Sequence, residues 1–147
     1  MDAAIAYVFD HFWKIATYVS AAALGAHLAT RNARAARRAS ASSQFRLEVL
    51  GALSALYPTP VSWPENIDDD LRSAFPQLQR AVEVFRPFVP WWRRRAFDRA
   101  WFEYHCSTGR SVDSQVYHHY MAFASQPNHR HTFERNVSRL LSFATET

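Results

Sequence analysis

The sequence predicts an all-α protein, with one N-terminal, membrane-spanning hydrophobic helix followed by a small bundle of four or five short helices. Three observations lead there. Only three glycines occur in 147 residues, too few for the tight turns of an all-β chain. Apolar residues recur at helical spacing in most segments. The prolines gather between those segments, where a missing N–H and a fixed φ break helices. The expected layout is a hydrophobic anchor helix over 1–30, a basic Ala/Arg/Ser stalk over 31–44, and a helical domain over 45–147.

A chain of this length suits one domain with an appendage. Aromatic residues make up 15% of it, enough to argue for a real core and against global disorder. The net charge of +4 comes almost wholly from arginine, because Lys14 is the only lysine. Arginine suits bidentate contacts to phosphate and carboxylate, but it also accumulates in GC-rich genomes, which is the plainer account. The single Cys106 excludes an internal disulfide framework and fits a reducing compartment.

Ile15 to Thr30 contains no formally charged residue. Extended back through Phe12 and Trp13 it approaches the roughly 20 residues of a membrane span, since Lys14 near a helix end can snorkel. The membrane segment is assigned to Trp13, Ile15, Tyr18, Val19, Ala21, Leu24, Gly25 and Leu28, with Trp13 and Tyr18 near a headgroup boundary. Arg31, Arg34, Arg37 and Arg38 follow with no acid before Glu48, whereas Asp2 and Asp10 precede. The positive-inside rule then puts the N-terminus outside and the body in the cytoplasm, as a single-pass protein of a bacterial inner membrane. The basic flank would lie on its anionic inner leaflet. Three alternatives remain. A cleaved signal peptide fits poorly with the long, acid-bearing start. A buried helix of a soluble protein is suggested by the alanines and His27, and an interfacial helix lying flat by the arginines. Thr17, Ala21, Gly25 and Ala29 recur every four residues, a small-residue ridge that suits homodimerisation of membrane helices but also arises by chance in alanine-rich sequence.

In the body, Phe45 to Tyr57 reads as a helix with Leu47, Leu50, Ser54 and Tyr57 near one face and Val49, Leu53 and Leu56 beside them. Pro58 to Asn66 reads as a loop. Asp68, Asp69 and Asp70 suit a helix start as N-cap and dipole complement, and as consecutive helical residues they diverge too far to hold a metal. Pro76 is expected to open a further helix with Leu78, Val82 and Phe85 inward, ended by Pro87 and Pro90. Trp91 to Cys106 forms the next, with Phe97, Trp101 and Tyr104 as a buried stripe and an Arg94–Asp98 pair at i, i+4. Val116 to Phe123 fits a strand, a turn or a helical turn equally. Asn128 to Ala144 closes as a helix, expected to share a core with the Trp91–Cys106 helix.

Catalytic chemistry has little support. Five of seven histidines fall between His105 and His131, but His118 and His119 are adjacent and His129 and His131 are two apart, spacings that do not converge on a helix. Cys106 with His105 or His118 sketches a thiol and base. No phosphate loop or nucleophile elbow occurs. No catalytic residue, metal or cofactor is therefore assigned. Arg86, Arg93, Arg94, Arg95 and Arg99, beside Trp91 and Trp92, form the expected partner surface. Such a run suits headgroups, an acidic protein or nucleic-acid phosphates, and arginines at a helix N-terminus run against its dipole.

Phe85, Arg86, Pro87 and Phe88, the helix positions Ala96, Phe97, Asp98, Ala100, Trp101, Glu103 and Tyr104, and the ending Arg139 to Phe143 resemble a group of small bacterial proteins. That group has an N-terminal membrane segment, an FRPFL-like turn, an AFDxAWxEY-like helix and a leucine- and phenylalanine-rich end. The resemblance implies a membrane-tethered helical body and no chemistry. The expected function is thus a non-enzymatic interaction module recruiting a protein partner at the cytoplasmic face. The alternative is a soluble, basic nucleic-acid-binding protein whose N-terminal helix belongs to the core.

Overall fold

The computed structural model describes residues 2–58, 63–106, 117, 120, 121 and 128–144. Its helices are α1 (Asp2–Ala52), α2 (Ile67–Phe85), α3 (Trp91–His105) and α4 (His129–Ser142), with a 3-10 turn over Arg86–Phe88. The class is all-α, and no strand occurs among the described residues. The helices are fewer than expected, for two reasons given below. The chain divides into two compact units, Met1–Arg38 and Ala39–Thr147.

The first reason is α1. No proline interrupts residues 2–52, and alanine and arginine are among the best helix formers. Anchor, stalk and first body segment are consequently one helix, which ends just after Gly51. No helix among the described residues is long and apolar enough to cross a membrane. The spanning helix expected near residues 13–30 falls short because alanine adds little to insertion, and Lys14 and His27 subtract from it.

The second reason is Pro76, which lies inside α2 rather than opening a new helix. An interior proline costs about 3 kcal/mol in a helix. The stripe of Ile67, Leu71, Leu78, Val82 and Phe85, all buried, continues through it at spacings of three, four and seven and offsets that cost. Asn66, not an aspartate, occupies the N-cap position. Asp68, Asp69 and Asp70 fill the first turn, complementing the dipole, and Asp68 pairs with Arg72 at 2.5 Å.

The core belongs to the Ala39–Thr147 unit. Phe45, Val49, Leu53 and Leu56 are buried, while Leu47 is 69% exposed. Of the two neighbouring stripes, the one of Val49, Leu53 and Leu56 is the buried one, and Leu50 and Tyr57 pack partly buried at its edge. Phe45 decides the choice by stacking on Phe85 at 4.5 Å and meeting the edge of Phe97 at 6.0 Å. On α3, Phe97 and Tyr104 are buried as expected and Ala100 joins them, with Trp101 half-buried. On α4, Phe133, Val137, Leu140 and Leu141 are buried. The two helices meet through Tyr104 and Phe133 and through the Arg139–Glu103 ion pair. Phe143, just past α4, meets Phe97 at 5.3 Å.

Candidate interaction site

The expected partner surface is built on the turn between α2 and α3. Arg86, before Pro87, stays in the α-region and the chain makes a 3-10 turn over Arg86–Phe88, whereas Val89, before Pro90, is extended, as a residue preceding proline favours. Val89 is 2% exposed. Helix α3 then starts with no side-chain cap and no acid in its first turn.

The arginines here divide by role. Arg86 donates two hydrogen bonds to Asp98, Nε to Oδ1 at 2.8 Å and a terminal nitrogen to Oδ2 at 2.9 Å. That hydrogen bonding holds the Asp98 carboxyl below the usual carboxylate range, against the upward push of partial burial. Arg94 is not the hydrogen-bonding partner of Asp98. Its guanidinium instead donates to the carbonyls of Val89 and Pro87, both at 3.2 Å, because the turn presents carbonyls that its prolines leave without helical partners. Arg93 lies over the Phe143 ring at 4.8 Å. Arg86 and Arg94 thus tie the turn to α3, and Arg93 ties the start of α3 to the residue after α4.

What faces outward is different. Trp91, Trp92, Arg95, Ala96 and Arg99 are all exposed, at spacings that define one side of α3. The two indoles meet edge to face at 5.8 Å, and Trp91 and Trp92 are 76% and 67% exposed. Arg95 and Arg99 make no ion pair among the described residues. No known protein family, curated protein or solved structure matches the chain. Its surfaces speak only through their chemistry.

In the Met1–Arg38 unit, every residue from Thr17 to Arg37 is exposed. Large apolar side chains are among them, with Tyr18 77%, Val19 62%, Leu24 61% and Leu28 49% exposed. Arg31, Arg34 and Arg37 are exposed and Arg38 partly so. The Ser20 hydroxyl donates to the Ala16 carbonyl at 2.7 Å and the Thr30 hydroxyl to that of His27 at 2.8 Å, so both polar groups are satisfied by their own helix. Ala21 and Gly25 share this exposed stretch, and Gly25 has no neighbour within 4 Å of where a Cβ would sit. The side chains of Trp13 and Ile15 lie outside the described residues.

Among the described residues, no three His, Cys, Asp or Glu side chains gather as metal ligands would. His105 is packed against Phe75, Trp101 and Phe102, with ring centroids 5.6, 4.8 and 5.7 Å away. Its Nδ1 lies 2.7 Å from the Trp101 carbonyl, and burial pushes its pKa below the ordinary value. Cys106 is buried, while His118 and His119 lie outside the described residues. An open groove of about 370 Å³ between the end of α1 and α2 is lined by Gly51, Leu53, Leu56, Asp70, Ser73 and Gln77 among others, with one carboxylate and no adjacent base.

Sequence reasoning missed a buried polar chain. The Asn136 amide donates to the Tyr120 hydroxyl at 2.9 Å and to the Glu103 carbonyl at 3.3 Å. Tyr120 in turn donates to the Tyr104 carbonyl at 2.9 Å. Tyr104, Tyr117 and Tyr120 are essentially fully buried. Tyr104 is the buried residue expected on α3, whereas Tyr117 and Tyr120 belong to the Val116–Phe123 segment, which apart from Tyr117, Tyr120 and Met121 lies outside the described residues.

Proposed function

We propose that this protein is a non-enzymatic interaction module tethered to a bacterial inner membrane by the Met1–Arg38 part of α1. In this proposal the body works at the cytoplasmic face and binds a protein partner there. One observation carries it: a helical stretch displays Tyr18, Val19, Leu24 and Leu28 to the surroundings, immediately before Arg31, Arg34, Arg37 and Arg38. Those four apolar residues fall at different angles around the helix, not on one side. Apolar side chains spread around the helix rather than gathered on one side favour a tether over a helix lying flat at an interface. The self-satisfied hydroxyls of Ser20 and Thr30 lower the cost of burial in lipid. The arginines supply an anionic-leaflet contact and the orientation, with the N-terminus outside.

Cell fractionation of the full-length protein tests this. The expected result is a membrane pellet that survives high salt and alkaline carbonate and yields only to detergent. Leu24→Asp with Leu28→Asp should release the protein, since a buried acid costs about 3 kcal/mol at the centre of a span. Recovery of the unaltered protein in the detergent-free supernatant would refute the tether.

A further inference from the structure

We infer that the outer face of α3, formed by Trp91, Trp92, Arg95 and Arg99, is a second lipid-contact site that seats in the headgroup region of an anionic bilayer. The inference rests on the membrane reading above, and it assigns the body a membrane contact of its own.

The first support is the tryptophans. Trp63 and Trp101 are half-buried and packed on Phe133 and Phe75. Trp91 and Trp92, by contrast, leave most of their surface to solvent. Tryptophan is enriched where one side of the ring is apolar and the other wet, because the indole combines a large hydrocarbon face with one N–H donor. Phe88, on the preceding turn, is 37% exposed and adds apolar surface nearby in the chain.

Charge supplies the second support and chooses the lipid class. Asp98 is occupied by Arg86, and Arg94 is occupied by the turn carbonyls. Arg95 and Arg99 remain uncompensated on the same side as the indoles. The start of α3 has no side-chain cap and no acid in its first turn, so the positive end of its dipole is unopposed. An anionic phosphate layer complements all of these at once. Arginines at a helix N-terminus, costly for an isolated helix, then become part of the contact.

Shape favours a bilayer over a protein pocket. Protein hot spots place aromatic anchors in fitted, desolvated pockets with complementary relief. Here the two indoles are adjacent in sequence on one face. The nearby hollow is lined by Glu83, Arg86, Pro87 and Arg94 and includes neither tryptophan. A lipid interface imposes no such fit.

The test uses the full-length chain with phosphatidylcholine vesicles, with and without phosphatidylglycerol, carrying brominated acyl chains that quench nearby indoles. A Trp13→Phe background removes the N-terminal indole. Trp63 and Trp101 are common to all variants, so adding Trp91→Phe and Trp92→Phe isolates the α3 indoles while keeping their apolar bulk. Flotation is read in parallel. The expected result is flotation with bromolipid quenching that needs phosphatidylglycerol. That quenching should be lost in the Trp91→Phe/Trp92→Phe protein, and reduced to the same level by Arg95→Glu/Arg99→Glu. Flotation with unquenched Trp91 and Trp92 overturns the inference and leaves the tether standing, the outcome expected if this face meets a protein instead. Quenching that is equal in pure phosphatidylcholine and indifferent to charge reversal overturns the anionic recognition. A chain that does not float at all overturns both.

Discussion

Arg86 clasps Asp98 through two parallel hydrogen bonds of 2.8 and 2.9 Å, tying the 3-10 turn to the second turn of α3. Both side chains keep over two-fifths of their surface in water, so the pair fixes geometry more than it stabilises. The Asp98 pKa is lowered by this bond. Its contribution is therefore present above the ordinary carboxylate value of 3.8 and lost as pH falls through the lowered one. Arg86→Ala should give a small fall in Tm at pH 7 that disappears in strong acid. An equal deficit at all pH values would show that the pair is not the cause.

His105 behaves in the opposite chemical sense with the same pH sign. Burial among Phe75, Trp101 and Phe102 depresses its pKa below the ordinary 6.5. As pH falls below 6.5 the unfolded chain binds the proton first, so stability declines until the folded-state pKa is reached. His105→Gln should flatten that slope. Comparing denaturation midpoints of the two proteins from pH 7 to pH 5 checks it.

The Asn136–Tyr120–Tyr104 chain should be the most sensitive polar feature of the body. Asn136→Ala should cost about 1–3 kcal/mol, because Tyr120 and the Glu103 carbonyl lose a buried donor. Tyr120→Phe should cost about 1 kcal/mol. The double variant should lose less than the sum, with a coupling of about 0.5 kcal/mol or more. Additive losses in chemical denaturation would separate the two residues energetically.

The ridge of Thr17, Ala21, Gly25 and Ala29 leads to a prediction about self-association in membranes. Within the chain nothing lies near the Cβ position of Gly25, so Gly25→Leu leaves the helix itself unstrained. Loss of crosslinked dimer in membranes bearing that variant would place Gly25 at a copy-to-copy contact. An unchanged dimer yield would exclude this ridge.

The sequence made the class and the later helices legible because their stripes are unambiguous: Leu78, Val82 and Phe85 on one segment, Phe133, Val137 and Leu140 on another. Phe45 to Tyr57 was harder, since two adjacent apolar stripes fit the same period. Only the rings of Phe85 and Phe97, forty and more residues away, select the face that includes Phe45. Pro76 misled for a related reason, since a local breaker yields when the stripe on both sides is buried. At the partner surface, the residue set was visible but its division of labour was not. Five arginines look alike as letters, and tertiary geometry alone separates Arg86, Arg93 and Arg94 from Arg95 and Arg99.

The reach of the core contacts also orders events during synthesis. Phe45 waits for Phe85 and Phe97, and Tyr57 bonds Ser138 across 81 positions. The body therefore closes only once α4 has left the ribosome, whereas α1 has emerged long before. For that interval α1 is a nascent helix with its apolar side chains uncovered. Whatever first captures it, be it insertion machinery, lipid or chaperone, meets the chain before the rest has folded.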